Sequence, residues 1–169
     1  MGKRNYLIEG VSGTGKSTVC RELRRRGYAA VDGDRELAYQ GDPATGEKVE
    51  RRVGTAEVLH GQHIWDVEKV RTLAAERSDA VTFFCGGSRN FKQFIDVFDA
   101  VFILDVDAQT LNERLDRRSE DDWGKRKSER DLVLRLHATK EDTPGHGILL
   151  DATQPLDRIV DEILNHVGA

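Results

Sequence analysis

Five short, unbroken apolar runs punctuate the chain: Tyr6-Leu7-Ile8, Ala29-Ala30-Val31, Ala80 to Cys85, Ala100 to Leu104 and Gly147 to Leu150. They are continuous rather than alternating, so they read as strands covered on both faces. The segments between them carry apolar residues at helical spacing. Ile64, Val67, Val70, Leu73 and Ala74 do so in the middle of the chain, and Leu156, Ile159, Val160, Ile163, Leu164 and Val167 at its end. Lys16 to Arg26 reads as a further helix. Alternation of strand and helix with short connections predicts one α/β domain over residues 1–169, a parallel sheet with helices on both faces. Two stretches break the alternation. Residues 40–61 and 119–127 are the places where a cap and a lid over a site could be built.

Between the first strand and the first helix lies Gly10-Val11-Ser12-Gly13-Thr14-Gly15-Lys16-Ser17-Thr18, a match to the phosphate-binding pattern G-x4-G-K-[ST]. Glycines let a backbone wrap a polyphosphate with its N–H groups pointing inward, and the helix that follows adds its positive end. Gly13, Thr14, Gly15, Lys16, Ser17 and Thr18 are therefore the expected cradle for ATP. Lys16 is placed to reach the β- and γ-phosphates, and the Ser17 hydroxyl to take one position on Mg²⁺. A plain turn joining strand to helix has no need of the Lys-Ser pair.

Composition narrows the partners. Charged residues make up 33% of the chain, no apolar run approaches the roughly 20 residues of a membrane helix, and the start of the chain shows no signal-peptide core. The expectation is a soluble, cytoplasmic protein. A net charge of −4 offers nucleic acid no overall attraction. Cys20 and Cys85 suggest neither a disulfide framework nor a metal site, and read as small buried fillers. Oligomeric state is left open.

Three further stretches carry candidate chemistry. Asp32-Gly33-Asp34 places two carboxylates at the C-terminal end of the second strand, where ligands bind in open α/β sheets; a turn with a helix N-cap would use the same residues. On a helix Arg114 and Arg118 are four apart and therefore share one face, so that one could lie on a base while the other reaches a phosphate. The third strand runs into Gly86-Gly87-Ser88-Arg89, whose arginine suits a planar carboxylate or a phosphate. Lys125, Arg126 and Lys127 form a cationic run that could close over transferring phosphate, and Arg51, Arg52, His60, His63 and Trp65 could line an acceptor pocket.

Taken jointly and in order, these landmarks resemble the small P-loop kinases, a group that includes adenylate, shikimate, gluconate and adenylylsulfate kinases. The resemblance spans essentially the whole chain and implies a three-layer P-loop NTPase fold with a five-stranded parallel sheet in the order 2-3-1-4-5. The loop is similar to that of gluconate kinase, and Leu104-Asp105-Val106 with Arg114-Leu115 and Arg118 resembles the fourth strand and the helix leading into the lid. Asp151 to Leu156 resembles the turn that touches adenine, which implies nucleotide contacts for Thr153 and Pro155; Arg114 is the candidate to lie on the base and Arg118 the candidate catalytic cation on the phosphate. Asp-Gly-Asp resembles the gluconate and adenylylsulfate kinases. It implies that Asp32 sits near the metal and Asp34 near the acceptor hydroxyl. Gly86 and Gly87 resemble the substrate-facing glycine turn of shikimate kinase, and Arg89 the arginine that holds the acceptor's phosphate in nucleoside monophosphate kinases. Two departures stand out: no His-Pro follows Asp-Gly-Asp as in gluconate kinase, and Cys85 stands where the nucleotide kinases have an acid, which shifts the metal role toward Asp32 or Asp105.

The resulting expectation is an ATP- and Mg²⁺-dependent kinase of a small molecule. Its acceptor is open between a hydroxyl metabolite or nucleoside and a nucleoside monophosphate. A nucleotide-binding switch without a diffusible acceptor is the alternative of another class. A kinase of polynucleotide ends, suggested by Asp32 and Arg35, fits poorly with the acidic charge balance.

Overall fold

The computed structural model describes residues 3–169. Its elements in chain order are β1 (Arg4–Glu9), α1 (Lys16–Arg25), β2 (Ala29–Asp32), α2 (Gly33–Glu36), β3 (Ala38–Gln40), α3 (Ala56–Gly61), β4 (His63–Trp65) and α4 (Val67–Ala75). There follow β5 (Val81–Cys85), two 3₁₀ turns at Phe91–Gln93 and Ile95–Val97, β6 (Ala100–Asp105), α5 (Ala108–Asp116), α6 (Lys127–Thr139), β7 (Ile148–Asp151) and α7 (Leu156–Val167). Five strands form one parallel sheet in the order β2-β5-β1-β6-β7. Counting only the strands of that sheet, this is the expected order 2-3-1-4-5.

Successive residues of the strands point to opposite faces, and each face has its own core. Tyr6, Ile8, Phe83, Phe102 and Leu104 pack with Val19, Cys20 and Leu23 of α1 and with Ile159, Val160 and Ile163 of α7. Leu7, Val31, Phe84, Val101 and Ile103 pack on the other side with Val70 of α4, Trp65 and Phe94. The result is a three-layer α/β domain. Both cysteines are buried and unbridged.

The structure corrects several local expectations. Ile64 belongs not to the middle helix but to β4, which pairs antiparallel with β3 in the register Tyr39↔Ile64. The helix begins later because Asp66 caps it, accepting from the Lys69 N–H at 3.0 Å. Residues 40–61 are not irregular throughout, since α3 lies within them and is capped by Thr55. The edge strand β7 is not covered on both faces: Leu150 is buried, whereas Leu149 is 68% exposed. Finally, α5 ends at Asp116, so Arg118 lies beyond the helix and does not share a helical face with Arg114.

Candidate active site

The loop between β1 and α1 lies in a backbone conformation that only glycines sustain. Gly10, Gly13 and Gly15 have φ of 152°, 94° and 105°. A Cβ on Gly10 would come within 2.7 Å of the Leu104 carbonyl oxygen, and one on Gly13 within 2.8 Å of Leu111 Cδ1, so their absence lets the loop press against β6 and α5. The first N–H groups of α1 then open into the loop with the positive end of the helix behind them. Lys16 Nζ donates to the carbonyls of Gly10 and Val11 at 2.6 and 3.1 Å, which holds the ammonium across the loop.

A cavity of about 470 Å³ opens on one side of this loop, lined by Gly13 to Thr18, Asp34, Arg114, Arg118, Ala152, Gln154, Leu156 and Ile159. Arg114 donates to the carbonyls of Gly13 and Thr14 at 3.3 and 3.1 Å and to that of Ala152 at 2.6 Å, tying the loop to the β7–α7 turn. Arg118 donates to the Ser12 hydroxyl at 2.9 Å and to the Trp123 carbonyl. The expected contacts of Thr153 and Pro155 are placed differently. The Thr153 hydroxyl is turned onto Asp151 and Pro155 caps α7, so Ala152 and Gln154 are the residues of this turn that face the cavity.

A second cavity, of about 270 Å³, lies on the other side of the loop. Val11, Leu59, Trp123, Val133 and Leu136 make its apolar wall; Asp34, Gln40, Arg52, His60, His63, Arg89 and Asp142 supply its polar groups. Of the cap residues singled out in the sequence, Arg52, His60 and His63 line it, whereas Trp65 is fully buried and stacks on Phe94 with ring centroids 5.7 Å apart. Gly87 lines the cavity, and Gly86 passes behind Asp34, whose Oδ1 would lie 2.9 Å from a Cβ there. The three lid cations line neither cavity: Lys125 donates to the Asp116 carbonyl, Lys127 pairs with Asp131 and Arg126 is the N-cap position of α6.

Asp34 borders both cavities, together with Ser12 and Lys16. It is the second residue of the one-turn helix α2, not its cap, and its Oδ1 lies 3.0 Å from His63 Nε2. Burial pushes its carboxyl pKa up, but the His63 hydrogen bond, the Lys16 and His63 charges and the Gly87 N–H outweigh burial and hold it below the ordinary aspartate value. Asp34 is thus a carboxylate at neutral pH. Asp142 is similar: burial opposes its charge, while His60 and Arg89 keep it ionised.

Two buried acids flank this arrangement. Glu9, at the end of β1 and 1% exposed, accepts from the Gly10 N–H at 3.0 Å through Oε1, and burial raises its pKa to about 7 against the pull of Arg89 and Lys16. Asp32, at the end of β2, keeps Oδ1 buried and without a partner and lines neither cavity. Glu9 and Asp142 escaped sequence reasoning. A single acid ending a strand, or one in a loop beyond α6, carries no local pattern.

Residues 7–135 match the family model described as an AAA domain. The chain belongs to the AAA domain family. No curated protein matches the sequence of this AAA domain protein. Among solved structures, it is similar to shikimate kinase from Bacteroides thetaiotaomicron, with a TM-score of 0.63, 14% identity, and 98% of this chain and 99% of that one covered. Shikimate kinase from Acinetobacter baumannii in complex with shikimate gives 0.59 at 18% identity over 98% and 93%. A gluconokinase from Sinorhizobium meliloti gives 0.56 at 20% identity over 99% and 93%. At these identities the likeness establishes the small P-loop kinase fold over the whole chain.

Proposed function

We propose that this AAA domain protein transfers the γ-phosphoryl group of ATP to a hydroxyl group of a small molecule. The observation that carries the reading is the meeting of two cavities at Lys16 and Asp34, one on each side of the phosphate loop. A nucleotide switch needs only the first cavity. A transferase needs both, with a cation and a carboxylate where they join.

The residues present fit a nucleotide and its metal. The glycine-sustained loop and the start of α1 form an anion cradle, and the 470 Å³ cavity beside it has Arg114 and Gln154 on its polar side and Leu156 and Ile159 on its apolar side. Hard oxygens suit Mg²⁺, which takes few protein ligands; Ser17 faces the donor cavity, and Asp32 holds a spare oxygen at the end of β2. When bound, the metal neutralises charge on the β- and γ-oxygens. Within the protein, Lys16 would leave the Gly10 and Val11 carbonyls for phosphate, and Arg118, on the donor side, would add a second positive charge. Asp34 would accept a hydrogen bond from the acceptor hydroxyl and align it. Its depressed pKa suits orientation more than early proton removal, which a loose phosphoryl-transfer transition state does not require. Gly87 and Arg89 would border the acceptor.

The test is an acceptor screen that measures ADP release with sugars, sugar acids, shikimate-like acids, nucleosides and nucleotides, in wild type and Lys16→Ala. An acceptor-dependent rate is expected in wild type, falling at least about 10²-fold in Lys16→Ala. No acceptor-dependent release from any class, or a folded Lys16→Ala within a few-fold of wild type, would remove this reading.

A further inference from the structure

Of the cations that line the acceptor cavity, Lys16 is held by the Gly10 and Val11 carbonyls and Arg89 is already matched. Arg89 Nη1 lies 2.6 Å from Asp142 Oδ2 and donates to the Asp142 carbonyl at 3.0 Å. His60 Nε2 shares the same carboxylate oxygen at 2.7 Å. Arg89 therefore has its counter-charge inside the protein, and an incoming anion would have to sit beside Asp142 to reach it. Asp34, the other carboxylate of the cavity, is likewise ionised. The one further arginine, Arg52, is exposed to solvent, where screening weakens it.

The accessible hydrogen-bonding group points the same way. Asp34, with 36% of its side chain accessible, is the carboxylate that opens on the cavity. It asks for an O–H group, which a neutral hydroxyl-rich compound supplies and an ionised carboxylate or phosphate group does not. Leu59, Trp123, Val133 and Leu136 offer an apolar wall for the less polar face of such a compound.

We propose that the acceptor cavity selects an uncharged, hydroxyl-rich compound, of the neutral sugar or nucleoside kind, and that the Arg89–Asp142 pair rejects acceptors bearing a carboxylate or phosphate. This deepens the kinase reading and rests on it. The test is calorimetric titration of the protein, with Mg²⁺ and a non-hydrolysable ATP analogue filling the donor side. The ligands are two matched pairs: glucose with gluconate, and thymidine with thymidine 5′-monophosphate. In at least one pair the neutral member should bind at least tenfold more tightly than its anionic partner. Asp142→Asn, which leaves Arg89 without its counter-charge, should narrow that ratio tenfold or more. The proposal is overturned if neither neutral member binds, if neither pair reaches a tenfold preference, or if a folded Asp142→Asn leaves the ratio unmoved. The wild-type ratio needs no variant, so a folding failure of Asp142→Asn leaves that ratio to decide. ADP release from the same compounds reads transfer separately. Neutral-selective binding without turnover ends the kinase reading alone, whereas turnover that favours the anionic partners ends the selectivity alone.

Discussion

Glu9→Gln should abolish a pH dependence of stability that this single buried acid creates. Glu9 ends β1 with 1% of its surface exposed, and burial lifts its pKa from 4.5 to about 7. The folded state thus holds the proton more tightly than the unfolded chain does. Its contribution to stability is complete below about pH 4.5 and is lost as pH rises through about 7. At ~1.36 kcal/mol per pKa unit, the change from 4.5 to about 7 amounts to about 3 kcal/mol by pH 8. For a domain of this length that corresponds to roughly 6–12 °C in Tm. Gln keeps the size and the oxygen that accepts from the Gly10 N–H, but carries no charge to desolvate. Urea denaturation followed by circular dichroism, from pH 4.5 to 8.5, gives unfolding free energies for both proteins. Every other titratable group is present in both proteins, so the difference between the two curves reports on Glu9. The variant should gain on wild type by about 3 kcal/mol across this range. Parallel curves would refute a raised Glu9 pKa and the water-poor environment that causes it.

Two further substitutions probe the site. Asp34→Asn keeps the size and the place beside His63 but loses the charge; with the acceptor found by screening, transfer should fall by about 10²–10⁴-fold while ATP affinity stays within a few-fold, and near-normal turnover would leave Asp34 without a part in the reaction. Gly33→Ala would drive a Cβ into the ring of Trp65, which is fully buried against Phe94; thermal denaturation should show a loss of about 1–3 kcal/mol, and an unchanged melting temperature would mean that the ring is free to move.

The phosphate loop and the two-sided core were legible in the sequence because each follows from local rules, whereas the strand order came only with the resemblance to small P-loop kinases. A glycine spacing, a run of apolar residues or a helical repeat acts over a few residues, wherever the rest of the chain goes. Lys16, Ser17 and the Asp-Gly-Asp turn could be named on that basis, and the structure sets Lys16 and Asp34 at the junction of two cavities. Relations between distant segments were decided only by the tertiary structure. Arg89 was visible as a cation, but its neutralisation by Asp142 brings together residues 53 apart across a loop with no pattern of its own. Arg118 read as a helix-face residue; the end of α5 at Asp116 frees it to reach Ser12, 106 positions away. Ile64 fitted a helical repeat and became a strand because Tyr39 lies opposite to pair with it. Glu9 looked like any acid after an apolar run until the fold buried it against Gly87 and removed its water. Charge pairing and desolvation depend on what surrounds a group in three dimensions, which no spacing along the chain encodes.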